Sequence, residues 1–193
     1  MKGNFFDVRK DFFMRRYNIL RMVVMAMLVA VGVVISPLLR VEGMCPMAHL
    51  INITAAVLLG PLDAFIVAVL IGVIRMAAMG IPPLALTGAV FGATLSGILY
   101  KASKGKIWAA VLGEIIGTGI IGAIVSYPVM TYICGREGLT WLFYVPSFIC
   151  GTLIGGSIAL VLLYRLQSIG VLKRMQTKLR EEARIWKKKP ETV

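Results

Sequence analysis

The sequence predicts an all-α membrane protein: six transmembrane helices in a compact bundle, with the N- and C-termini cytoplasmic. Three observations carry that expectation. The first is composition, since 59% of the 193 residues are hydrophobic and only 16% charged, whereas soluble domains run nearer about 25% charged. The second is patterning. Several apolar stretches approach the roughly 20 residues that a helix needs to cross a hydrocarbon layer about 30 Å thick. The third is charge placement, because the net charge of +12 sits at both ends and in one short loop rather than along the chain. That is the asymmetry of positive-inside topology. A nucleic-acid groove would need a basic face on a soluble fold, which the pattern lacks.

The expected crossings are 19–37, 47–60, 61–80, 84–100, 107–128 and 140–164. The first follows Arg15, Arg16 and Arg21 and mimics a secretory signal. Its apolar run from Ile19 to Ser36 is too long for an h-region and ends in Pro37-Leu38-Leu39-Arg40, so an uncleaved helix is expected. The second is short: between Pro46 and Gly60-Pro61 lie about 14 residues, or roughly 21 Å of helix. Charge decides its fate. With six crossings, all of the 21 Lys and Arg except Arg40, Arg75 and Arg136 share one side. Were the second segment re-entrant, the Lys101–Lys106 loop and the basic C-terminus would be translocated, against the rule.

The expected organisation is therefore a cytoplasmic amphipathic segment over 1–18, a membrane bundle over 19–165 and a basic amphipathic tail over 166–193. Phe5, Phe6, Phe12 and Phe13 recur among basic residues near the start. Leu172, Met175, Leu179, Ala183 and Trp186 recur at three- and four-residue steps near the end. Both patterns fit helices lying on an anionic leaflet; for the second, a tail docking on a partner stays open. Gly88-x-x-x-Gly92, Gly113-x-x-x-Gly117 and Gly151-x-x-x-Gly155 each put two glycines on one helix face, which lets membrane helices approach closely. Ala26-x-x-x-Ala30 offers a similar smooth face on the first helix.

Ionisable groups within a membrane are costly and are candidates for function. Glu114 falls about eight residues into the fifth helix, with Thr118 on the same face. It reads either as a packing residue bonded to a neighbouring helix or as a contact for a captured solute. His49 and Asn52, three apart, share a face of the second helix. Arg75, near the outer end of the third, either snorkels or meets a ligand. Asp63, after Gly60-Pro61, is expected to cap the third helix. Trp141, Phe143 and Tyr144 precede the sixth helix as an interfacial belt or a stacking lid. Cys150 is expected as a small packing residue, and a Cys45–Cys134 disulfide stays open. No nucleotide-binding loop, zinc motif or nucleophile elbow occurs, so no catalytic or metal-ligating residue is expected and the chain is not read as an enzyme.

Three runs together resemble a known family: His49-Leu-Ile-Asn-Ile-Thr-Ala-Ala-Val-Leu-Leu-Gly-Pro61, Gly80-Ile-Pro-Pro-Leu-Ala-Leu-Thr-Gly88 and Gly113-Glu-Ile-Ile-Gly-Thr-Gly119. They are similar to the substrate-binding (S) subunits of energy-coupling factor (ECF) transporters, and within these to the ThiW family, assigned to uptake of the thiamine precursor hydroxyethylthiazole. The resemblance spans about Leu20 to Arg165. It implies a multi-pass protein of the bacterial cytoplasmic membrane, with a pocket for a thiazole-like substrate. His49, Asn52, Arg75, Glu114 and Thr118 would bind the substrate, beneath Trp141 and Tyr144. It also implies docking, through Ala26 and Ala30, onto a transmembrane coupling (T) subunit that carries two ATPases. On that reading ATP is used by the partners, and this chain needs no cofactor, meets membrane lipid and binds no nucleic acid. A self-sufficient secondary transporter is the alternative, for which inverted repeats would be the signature.

Overall fold

The computed structural model describes residues 19–40 and 44–188, with side chains through 182. The expected amphipathic segment over 1–18 lies outside the described residues. Among these residues the chain forms seven helices and no strand: α1 Ile19–Ile35, α2 Pro46–Leu59, α3 Pro61–Met79, α4 Leu84–Ala102, α5 Ile107–Ile133, α6 Val145–Ser168 and α7 Val171–Lys188. Helices α1 to α6 alternate in direction. The Lys101–Lys106 turn and α7 therefore lie at one end of the bundle, and Arg40, the α3–α4 turn and Arg136 at the other.

Local chemistry sets most of the boundaries. Pro46 opens α2 at a position where a missing N–H costs nothing. Gly60 then takes φ 91° and ψ 179°, a conformation closed to residues with a Cβ, and Pro61 starts α3 immediately. Gly80, left-handed at φ 60°, ends α3 just before Pro82-Pro83 blocks any continuation.

Helices α3 to α6 are each long and apolar enough to cross a membrane, at 19, 19, 27 and 24 residues. Helices α1 and α2 are apolar but shorter, at 17 and 14 residues. The short α2 packs against each of the other six helices. Its buried set, which includes Ile51, Ile53, Ala55, Ala56 and Val57, runs all round it. It is a central pillar, and neighbouring helices cover its sides.

Two expectations are corrected at this level. Asp63 does not cap α3, whose N-terminus has no side-chain cap. Its carboxylate is buried and pairs with Nε of Arg21 on α1, while Arg21 Nη2 donates to the Leu59 carbonyl at 2.7 Å. One arginine thus ties α1 to the start of α3 and to the end of α2, where the last carbonyls lack helical partners. Cys150 is exposed on α6 rather than packed inside, and Cys45 and Cys134 are both free thiols.

The C-terminal pattern does form a helix, and its apolar face meets the bundle. Leu172 and Leu179 of α7 are buried, and Gln176 Nε2 donates to the Val57 carbonyl at 2.9 Å and to the Tyr100 hydroxyl at 3.1 Å. Ala26 and Ala30 lie on the uncovered side of α1, beside the exposed Met22, Met27 and Val34.

Candidate substrate cavity

At the end of the bundle away from the Lys101–Lys106 turn lies a cavity of about 490 Å³. His49 and Asn52 of α2, Arg75 of α3, Thr118 and Met130 of α5 and Phe148 of α6 contribute to its wall. Drug-sized ligands occupy clefts of about 300–1,000 Å³ with mostly apolar walls and a few convergent polar groups. The same description fits this space.

The polar part of the wall is built around one carboxyl group. Glu114 is 0% exposed, and its Oε1 lies 2.9 Å from each of His49 Nδ1, Asn52 Nδ2 and Thr118 Oγ1. Ser96 Oγ of α4 donates to Oε2 at 3.2 Å. The spacing that put His49 and Asn52 on one face of α2, and Glu114 and Thr118 on one face of α5, turns both faces toward each other. Four side chains on three helices converge on this carboxyl, so a buried polar group that would otherwise be costly is fully engaged.

Glycines make the cluster sterically feasible. A Cβ on Gly92 would overlap the Thr118 hydroxyl and come within 2.6 Å of Glu114 Oε2. A Cβ on Gly113 would sit 2.6 Å from the Ser96 Cα, so α4 and α5 touch backbone to backbone where Ser96 reaches Glu114. The glycine pairs read from the sequence as packing faces therefore also open the space that the polar side chains fill. Beyond Glu114, α5 widens into π-helical turns over Ile115–Gly122 and again over Val129–Ile133. Such turns shift the register of one helix face and recur at functional sites. Thr118 and Met130, one in each stretch, both reach the cavity.

Of the seven expected ligand-binding residues, His49, Asn52, Arg75 and Thr118 line the cavity together. Glu114 does not; it stands behind the wall and holds three of its neighbours in place. Trp141 and Tyr144 do not line it either. Trp141 is 56% exposed and packs on Tyr127 with ring centroids 4.5 Å apart. Tyr144 is buried against Phe143 and Phe148. The aromatic wall is Phe148, one helical turn past Tyr144 and already inside α6. Sequence reasoning also missed Ser96, whose partner is 18 residues away on another helix, and Arg40 and Arg136, which border the cavity from connecting segments.

No curated protein and no solved structure matches the chain. Residues 22–169, well over half of its length, match a family described as thiamine-precursor transporter protein (ThiW). That span takes in every helix that builds the cavity and all four of the expected residues that line it. The chain belongs to the ThiW family of thiamine-precursor transporters, a transporter family rather than a class of enzymes.

Proposed function

We propose that this chain is the substrate-capture (S) subunit of an ATP-driven ECF-type importer in a bacterial cytoplasmic membrane, and that its cavity takes hydroxyethylthiazole. The observation that carries the reading is the cavity itself. It lies at the end opposite the basic turn and is floored by His49, Asn52 and Thr118, which Glu114 holds from behind. Positive-inside topology puts the Lys101–Lys106 turn and α7 in the cytoplasm and the cavity on the outer side. In this arrangement all six of α1 to α6 cross, α2 doing so within the shelter of its neighbours.

A thiazole ring would lie against Phe148 and Met130, while Asn52, His49 and Thr118 meet its heteroatoms and hydroxyl. Capture needs no covalent chemistry and no cofactor on this chain. ATP is hydrolysed by two partner ATPases, and a coupling T subunit docks on the smooth face of Ala26 and Ala30. Their exposure, next to Met22 and Met27, supports that role. Toppling of the loaded bundle within the membrane then carries the substrate inward.

The direct test is calorimetry on the detergent-purified chain. Hydroxyethylthiazole is expected to bind at micromolar or tighter affinity, and thiamine far more weakly. Absence of thiazole binding would overturn the substrate assignment. In parallel, Ala26→Arg with Ala30→Arg is expected to abolish co-purification with an ATPase-bearing complex. Uptake by the chain alone, without such a complex, would instead establish the secondary-transporter alternative.

A further inference from the structure

We infer that the ligand of this cavity is an anion, a small heterocycle whose side chain ends in a phosphate monoester or a carboxylate, with Arg75 as its counter-charge. This rests on the capture reading above and moves its substrate from the neutral alcohol to an anionic form of the same ring.

Two arginines of the bundle, one half-buried and one buried, stand in contrasting environments. Arg21, at the basic end, meets the buried Asp63 carboxylate and a backbone carbonyl. Arg75, at the cavity end, is only 3% exposed, yet its Nε has no hydrogen-bond partner. Its Nη2 reaches only the Cys45 thiol, at 3.4 Å. A thiol is a weak acceptor, while a guanidinium is permanently charged and carries five donors. Such a charge within a membrane protein calls for an anionic partner or water.

Among the described residues the cavity supplies no such partner for Arg75 from its own wall. The described residues that line it include Arg40, Arg75 and Arg136, and neither Asp nor Glu. Glu114 lies outside the lining and already accepts from Asn52, Thr118 and Ser96 beside His49. Arg75 is thus the most buried cation of this wall, and no described acid of the lining neutralises it. A phosphate or carboxylate accepts from the planar guanidinium through two oxygens, a geometry that a neutral hydroxyl cannot match. The rest of the ligand stays ring-sized, because Phe148, Met130 and the His49–Asn52–Thr118 wall occupy the other side.

Calorimetry with four probes tests this: hydroxyethylthiazole, its phosphate monoester, the corresponding thiazole acetic acid and inorganic phosphate. The ester or the acid is expected to bind at least about tenfold more tightly than the neutral alcohol, and which of the two leads identifies the oxyanion. Arg75→Gln is expected to weaken the anionic probe about 100-fold and the alcohol by a much smaller factor, as for loss of one partner of a buried charge pair. Arg75→Lys should recover part of the loss. Inorganic phosphate binding to the wild type and not to Arg75→Gln supports the same site without the ring. Equal or tighter binding of the alcohol overturns the inference and leaves the capture reading standing. So does an anion preference that survives Arg75→Gln. Binding of none of the four probes overturns both. The wild-type comparison decides the matter even where a variant fails to fold.

Discussion

Replacing Glu114 by alanine tests whether one carboxyl organises the cavity wall. In the native cluster its Oε1 faces His49 Nδ1, Asn52 Nδ2 and Thr118 Oγ1, and its Oε2 accepts from Ser96. Two of these groups have alternatives, since Thr118 can turn to the Gly88 carbonyl at 3.1 Å and Asn52 to that of Ala89 at 3.4 Å. His49 and Ser96 have none among the described hydrogen bonds. Two stranded buried groups at about 1–3 kcal/mol each put the cost at about 2–6 kcal/mol. For a chain of this size each kcal/mol moves the melting temperature by about 2–4 °C, so Glu114→Ala should melt roughly 4–24 °C lower in detergent. Glutamine keeps the volume and one acceptor, and the Ser96 hydroxyl can rotate to accept from its amide; its cost should be about 1 kcal/mol. The assay is thermal unfolding followed by tryptophan fluorescence, paired with ligand calorimetry, in which the alanine variant should also lose affinity as His49 and Asn52 lose their anchor. If alanine melts no lower than glutamine, the cluster is not organised by this carboxyl and the reasoning fails.

Four further outcomes follow from the same geometry. Gly92→Ala drives a methyl into Thr118 and Glu114, so it should cost about 1–3 kcal/mol in unfolding experiments and weaken ligand binding. Phe148→Leu should reduce affinity about tenfold by calorimetry, from an aromatic contact worth about 0.5–1.5 kcal/mol beyond its area. Trp141→Ala should leave affinity unchanged, because Trp141 does not line the cavity. Gln176→Ala removes the two hydrogen bonds that tie α7 across the bundle end, and tryptic cleavage at Lys173 and Arg174 should become faster while ligand affinity holds.

Much of this protein is legible in its sequence, and the reasons are local. A helix in a hydrocarbon layer must satisfy its own backbone, so long apolar runs become helices. Gly60-Pro61, Gly80 and Pro82-Pro83 end and restart them where expected. The pairing of His49 with Asn52 and of Glu114 with Thr118 follows from helical periodicity alone. Asp63 was misjudged because capping is a local rule, whereas its partner Arg21 is 42 residues away on α1. The aromatic residues before α6 stayed open between belt and lid for a similar reason. Composition locates a belt of rings, but only the direction of α6 selects Phe148 for the wall and leaves Trp141 outside it.

The apolar runs and charge asymmetry of the sequence by itself determined a bundle of membrane helices, and its short motifs pointed to the family. Which polar groups share one carboxyl was decided only by tertiary structure. Glycine faces let α4 meet α5 backbone to backbone, and Ser96 reaches Glu114 only at that contact. Periodicity assigns each residue a face on its own helix. What that face meets depends on how closely and at what height the neighbouring helix is allowed to pack.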